Sequence, residues 1–439
     1  MTIASILPQT KSLNPLQQWK YFNNPRIILD WSRGPDQNLA LYHFQGRDYV
    51  IAKTPKAAQA VFTADPDFYD AFWKESFAGM NGEGSLWVLV GDKHRRERQL
   101  FAPAVHASHF RAYGDAIRDL TRSNLEKWRP GETIRAIDTT LSISLDIIMR
   151  LVFGVEDEAP IQEGRKVISA LTATAHPLIV FFPKLQRSWF PLWQRYVKAK
   201  ADLYAWMDKV ITARRLGSEN TQDVLGYLIS ARDEEGNPYN DAHIRNELLS
   251  ILTAGHVTTG TALAWELYEL GRHPEVVDKL RKELGTLGPE PDPVSLLQLP
   301  YLAAVCNETI RLHPILAECA RVPMRAMDVL GHKISPGQAL VVSIVGIHHD
   351  PATYPEPDQF IPERFIERSY DKFEFLPFGG GHRRCLGAGL AEYSMRIVLA
   401  EVVQHWEFET AAEDYDIRHD LAMGPKNGVL LRIKGRRQV

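Results

Sequence analysis

The chain is poor in cysteine: Cys306, Cys319 and Cys385 are the three among 439 residues. An odd, sparse set argues against a disulfide framework and for a reducing compartment. It also leaves room for one of the three to be chemical. Net charge is nearly missing, with 51 Lys+Arg against 54 Asp+Glu and a balance of −3. No basic excess stands ready to neutralise phosphates, so nucleic acid is not expected as a partner. Long apolar runs are missing too. Across residues 1–30, Pro8, Lys11, Pro15 and Lys20 interrupt every apolar stretch. A spanning helix needs about 20 apolar residues, and a secretory signal needs a basic start and an apolar core of about 7–15. A cytoplasmic protein without a membrane anchor is expected. Internal repeats, low-complexity tracts and linkers between autonomous halves are also lacking.

What is present suits an ordinary globular protein: 45% apolar and 24% charged residues. A prior of about 150 residues per domain suggests three domains, but without linkers the chain reads as one large domain, mainly α with a small β portion. Residues 40–53 alternate apolar and polar around Gly46, as a hairpin does. From Thr54 to about residue 286 the pattern is helical, with breaks at Pro130-Gly131, Ala159-Pro160 and Gly236 to Pro238. The longest helix is predicted from about Asp241 to Gly271, with Asn240 or Asp241 as its cap. A helix over 300–313, strand-like pieces at 327–346, a coil rich in Pro and acids at 350–365, a last helix at 386–405 and strand-like residues at 427–433 follow.

The most informative segment is Phe378-Gly-Gly-Gly-His-Arg-Arg-Cys-Leu-Gly387. Consecutive glycines let backbone lie close to something flat or take positive φ. Cys385 directly before a helix, beside Arg383 and Arg384, is placed to favour a thiolate. Such a thiolate is a metal ligand or a nucleophile; the bland alternative is an inert buried cysteine. Zinc is disfavoured, because His382 and Cys385 have no second Cys/His pair at ligand spacing.

Phe378, Gly381, Cys385 and Gly387 together resemble the haem-ligand signature of the cytochrome P450 family. Three further segments resemble its motifs in the right order: Glu308-x-x-Arg311, Pro362-Glu363-Arg364-Phe365, and Ala254-Gly255-His256-Val257-Thr258-Thr259. The resemblance spans nearly the whole chain. It implies a single P450 domain over 1–439, with a helix-rich core at about 54–313 and a mixed α/β haem-ligand region at about 314–439. It implies haem b (iron protoporphyrin IX) with Cys385 as axial iron ligand. It places Phe378, Gly381 and Gly387 in the cofactor loop and assigns His94, Arg98, Arg321 and Arg383 to the haem propionates. Read alone, His94 and Arg98 are a solvated basic face.

Glu308 and Arg311 share a helix face. Alone they read as a surface ion pair worth under about 1 kcal/mol. The resemblance implies instead a buried triad with Arg364 that supports the cysteine loop. Thr258 matches the threonine that hydrogen-bonds dioxygen and helps deliver protons, and its Oγ can also bond the carbonyl of Ala254. Ala254 and Gly255 are expected to leave room for oxygen or substrate. The chain departs from the family at Val257, where most members carry Asp or Glu. Proton relay then falls to water, substrate or a remote group. His256 points elsewhere by helical geometry and is read mainly as packing. His348-His349-Asp350 resembles a family turn rather than a metal cluster, and Cys306 and Cys319 read as core or pocket wall.

The implied activity is monooxygenation: one atom of O2 enters a lipophilic small molecule of terpenoid, fatty-acid, polyketide or retinoid type. Phe68, Phe72, Phe77, Trp87, Phe181, Phe182, Leu252 and Leu316 are the expected lining, and Lys426 a candidate anchor for a carboxylate. With no reductase segment visible, electrons are expected from a separate ferredoxin- or flavodoxin-type donor, docking near Lys93, Arg95, Arg96 and Arg384. A monomer is expected. Two alternatives stand: a thiolate-haem enzyme that uses peroxide or rearranges substrate, and a non-catalytic haem-binding sensor.

Overall fold

A computed structural model describes residues 38–437 apart from 45, 103–109, 218–222, 234, 412–416 and 420–421, together with Lys11–Ser12, Gln17 and Lys20. In chain order, the hairpin strands are β1 (Leu39–Phe44) and β2 (Arg47–Ala52). Helix α1 (Pro55–Phe62), strand β3 (Tyr69–Ala71), α2 (Gly91–Phe101), α3 (Phe110–Leu125), β4 (Thr133–Arg135) and α4 (Ala136–Leu151) follow. Next come α5 (Glu158–Thr174), α6 (Pro191–Leu216), α7 (Asp241–Arg272), α8 (Pro274–Leu284) and α9 (Pro300–Leu312). The chain then builds β5 (Glu318–Pro323), β6 (Ala339–Ser343), α10 (Ala388–His405), β7 (Trp406–Thr410) and β8 (Leu430–Arg436).

The hairpin pairs Leu39 with Ala52 through Phe44 with Arg47, and Gly46 turns with φ +74°. β2 then pairs parallel with β6, which pairs antiparallel with β5, which pairs antiparallel with β3. This mixed sheet is built from opposite ends of the sequence. It brings Arg321, on β5, into the fold's interior. The predicted break at Ala159-Pro160 is instead the first turn of α5, after the N-cap Asp157. Proline is tolerated there because a first-turn N–H has no helical partner anyway.

Helix α7 runs through the middle of the fold. Asn240 Oδ1 accepts the His243 N–H at 2.9 Å and caps it, so the helix starts at Asp241 as predicted and ends at Arg272, one residue beyond the predicted Gly271. At 1.5 Å per residue its 32 residues span about 48 Å. Its C-terminal half is buried nearly all round, with Leu263, Ala264, Trp265, Leu267, Tyr268 and Leu270 in one core with residues of α3, α4, α8, α9 and α10. Each buried leucine there is worth about 1.5–3 kcal/mol. A Cβ on Gly260 would stand 3.1 Å from Leu141 Cα, so a glycine lets α4 and α7 cross closely.

Candidate active site

The segment between β6 and α10 is tied down by three buried charges. Glu308 and Arg311 are fully buried on α9, and Arg364 is 7% exposed. Arg311 Nε donates to Glu308 Oε2 at 2.6 Å, and Arg311 Nη2 and Arg364 Nε donate to Oε1 at 2.8 and 3.0 Å. The remaining Arg311 donors reach the carbonyls of His348, Pro357 and Gln359 at 2.8–3.1 Å. Arg364 adds the carbonyls of Pro355 and Glu356, and the Ile361 N–H donates to Glu308 at 2.9 Å. The surface-pair reading is thereby corrected: at i, i+3 on a wholly covered face, the pair is buried. Arginine suits this place because its planar fork serves several acceptors at once.

The same network reaches the cysteine loop. His348 Nε2 accepts the Leu376 N–H at 3.0 Å, and the Leu376 carbonyl accepts the Gly379 N–H at 2.9 Å. Burial, with Arg311 nearby, drives the His348 pKa well below 6.5, as an acceptor imidazole requires. Its role is thus structural. The loop closes with the Cys385 N–H donating to Phe378 O at 2.9 Å. Gly379 and Gly381 have φ of +66° and +68°. A Cβ on Gly381 would lie 2.8 Å from the backbone oxygen of Phe62, so this position excludes every other residue twice over. Behind the loop lies a pocket of about 250 Å³ lined by Phe62, Phe373, Phe378, Arg384 and Glu392 among others.

Cys385 itself is exposed. Helix α10 begins at Ala388, two residues later than predicted, with Gly387 as its cap residue. The expected thiolate is not favoured by the polypeptide alone. Surrounding protein pushes the Cys385 thiol up, and the Gly387 N–H, Arg384 and Arg98 only partly offset this. Cys319, in contrast, packs beneath the loop, with its Sγ 2.9 Å from where a Gly379 Cβ would be. Cys306 is buried beside Glu266.

Next to the loop the structure collects His94, Arg98, Arg321 and Arg383, together with His382. His94 and Arg321 are buried. Arg98 Nη2 donates to the Arg384 carbonyl at 2.6 Å, Arg321 Nη2 to the Gly380 carbonyl at 3.3 Å, and Arg383 Nη2 to that of Leu89. The His94 and His382 rings meet edge-on at 5.7 Å. Burial and mutual repulsion lower these groups together: His94 to about 3, His382 to about 4 and Arg383 to about 10. Among the described residues, no carboxylate hydrogen-bonds any of the five, and Arg383 Nε is buried without a partner. The solvated-face reading of His94 and Arg98 is thus corrected. His382 was missed as a member because sequence spacing tied it only to a zinc alternative.

On α7, Thr258 Oγ1 donates to the Ala254 carbonyl at 2.5 Å. Ala254 is exposed although Leu252 and His256 beside it are buried, so its methyl borders open space inside the fold. Gly255 does not share that space: a Cβ there would meet Ile148 Cδ1 at 3.2 Å, so this glycine admits α4. His256 is buried, its pKa lowered to about 4 by burial, and the Ser144 hydroxyl donates to its carbonyl at 2.8 Å. Val257 is half-buried.

A model of the cytochrome P450 family matches residues 26–432. The chain belongs to the cytochrome P450 family. Cytochrome P450 135B1 of Mycobacterium tuberculosis is 31% identical over 404 residues, covering 89% of this chain and 83% of that protein. Cytochrome P450 138 of the same organism is 30% identical over 410 residues, covering 92% and 89%. Among solved structures, the retinoic-acid-bound cyanobacterial CYP120A1 has a TM-score of 0.86 at 22% identity, covering 98% of this chain and 99% of that one. The haem domain of P450DA has a TM-score of 0.87 at 21% identity, covering 98% and 99%.

The protein is thus a haem-thiolate oxidoreductase of the monooxygenase class, which draws on O2 and an electron donor. The residues present fit a haem. Among the described residues no carboxylate hydrogen-bonds the cationic cluster, and Asp70 answers the charge of Arg383 only in part, a deficit that two propionates would fill. A Cβ on Gly387 would meet nothing within 4 Å, so open space adjoins the cysteine. No helix among the described residues is long and apolar enough to cross a membrane. Of the expected lining, Phe77 stacks on Trp87 at 4.7 Å, and Trp73 bridges Phe72 (4.7 Å) and Phe181 (5.5 Å). Leu252 is instead buried in the core beside α6, and Phe68 carries the Arg325 guanidinium 3.7 Å over its ring. Arg95, expected to meet an electron donor, is engaged by Asp67 at 3.0 Å and by Asp92.

Proposed function

We propose that this P450 inserts one oxygen atom from O2 into a lipophilic small molecule of terpenoid, fatty-acid, polyketide or retinoid type. The observation that carries this reading is the half-buried aromatic run of Phe72, Trp73 and Phe181 beside the Phe77–Trp87 stack. Such a lining binds apolar guests through area rather than hydrogen bonds. The protein is a monomer in this reading and resides in the cytoplasm. A separate ferredoxin- or flavodoxin-type carrier supplies electrons, approaching the exposed Lys93, Arg96 and Arg384.

Bound haem b would supply the dioxygen chemistry, and Cys385 would hold its iron. His94, Arg98, Arg321 and Arg383 would hold its two propionates, and the charges that now repel one another would then be answered. Phe378, Gly381 and Gly387 would shape the loop that receives it, and the Gly387 N–H stabilises negative charge on the sulfur. Glu308, Arg311 and Arg364 hold the loop in place and take no part in the reaction. Ala254 leaves space above α7. The Thr258 hydroxyl has committed its own proton to Ala254 O, so its oxygen serves as an acceptor that fixes a water. That water, not a side chain, is the immediate proton source. Val257 has no proton to give, and His256 is buried against α4.

The test is a spin-state titration of the holoenzyme with lipophilic compounds, followed by turnover with a ferredoxin, its reductase and NADPH. Binding and oxygenated product are expected for at least one apolar class. Product that forms only with peroxide would favour the second reading, a peroxide-using or rearranging enzyme, for which Val257 is the motive. Binding without any product would favour a sensor. Val257→Asp is expected to change the fraction of electrons recovered as product; unchanged coupling and rate would show that the missing acid is immaterial.

A further inference from the structure

Away from the cysteine loop, α2 and the first turns of α7 meet at a cluster the haem reading does not use. His243 and Glu247 are i, i+4 on α7 and so share one face. Glu97 reaches them from α2, with Oε1 2.9 Å from His243 Nε2. One ligand atom from each residue lies within 4.8 Å of the others, the one such grouping among the described residues. Glu97 is 7% exposed and Glu247 is 1% exposed. Both Glu247 carboxyl oxygens are buried without a well-formed hydrogen bond, although the Leu86 N–H lies near. Two buried carboxyls so close, one of them unpartnered, are costly unless something positive joins them.

We propose that Glu97, His243 and Glu247 bind a divalent transition metal of the zinc or manganese class. Two carboxylates cancel the ion's charge, and one imidazole with two oxygens is a borderline donor set suited to such ions. Ligand distances of about 2.0–2.2 Å require the three groups to close slightly around the ion. The imidazole is already oriented: Tyr239 stacks on it at 4.4 Å and 19°, and Asn240 holds the His243 backbone N–H. Half-exposed His243 marks the entry side, which leaves a coordination position for water. Bound metal would pin α2, and with it the neighbouring Arg98 and His94, to the long helix.

The experiment uses untagged holoenzyme, stripped with a chelator, dialysed, and titrated first with zinc chloride and then with manganese chloride. Elemental analysis reads metal per haem iron, and calorimetry reads affinity. One equivalent per chain is expected, with affinity at least about 100-fold weaker in Glu247→Gln and in His243→Gln, since even residues behind the ligands carry about 10–100-fold. Haem content should be unchanged in both. If Glu247→Gln fails to hold haem, half-exposed His243→Gln decides alone. No stoichiometric uptake by the wild type, or equal uptake by His243→Gln, overturns the proposal and leaves a Glu247 carboxyl kept neutral by burial.

Discussion

Two arginine-rich regions flank the cysteine loop, and they are built on opposite accounts of charge. Around Glu308, all five N–H groups of Arg311 find acceptors, and both carboxylate oxygens are filled. Around His94, the basic groups touch backbone carbonyls and one another, and their pKa values fall together. The first region is complete as protein, whereas the second is complete only with a dianion. Buried arginine therefore does not by itself mark a binding site; a deficit of acceptors does.

The contrast can be tested by removing charges from each side. Glu308→Gln leaves two buried guanidiniums without their anion and should cost about 3–5 kcal/mol of stability, read by urea unfolding. A loss below about 1 kcal/mol would show that the triad is not the self-contained unit its geometry describes. Arg383→Gln should behave differently. Haem should leave at least about tenfold faster, roughly 1.4 kcal/mol of affinity, as measured by transfer to apomyoglobin. Stability of the haem-free protein should hold or rise, because one repelling charge is gone.

Acid should reveal the neutral histidine that links the triad to the loop. The folded pKa of His348 lies below its unfolded value near 6.5. Its contribution is therefore complete above pH 6.5 and is lost as pH falls below that, by up to about 1.4 kcal/mol per pH unit. His348→Gln should flatten that part of the urea-midpoint profile between pH 7 and 5; an unchanged slope would assign the acid sensitivity to the His94 cluster. The smallest effect belongs to Arg95, whose partners Asp67 and Asp92 are exposed. Arg95→Gln should leave both stability and haem retention unchanged within error.

Much of this was legible in residue order. The Asn240 cap, the Gly46 turn and the glycine-cysteine loop each carry local chemistry that requires little from the rest of the fold. The departures lie where distant segments meet. Strand β5 was missed because its six residues, Glu318–Pro323, mix charge and small side chains and become a strand only between β3 and β6. The surface reading of Glu308 failed because i, i+3 spacing is silent about what covers a helix face. Gly255 was assigned to the oxygen-side space, but the position of α4 decides otherwise. Glu97 and His243 are too far apart in sequence for any spacing rule to join them.

The cationic cluster also sets an order of events during synthesis. His94 and Arg98 emerge first, and the cysteine and the loop that Arg311 and Arg364 anchor follow about 290 residues later. At about 5–20 residues per second, the interval is on the order of tens of seconds. Throughout that time the early half presents repelling cations with neither cofactor nor loop to answer them. With Cys385 as the proposed ligand, the cofactor enters only after that segment is made, and a ribosome that stalls between α7 and α10 leaves a chain that cannot retain it.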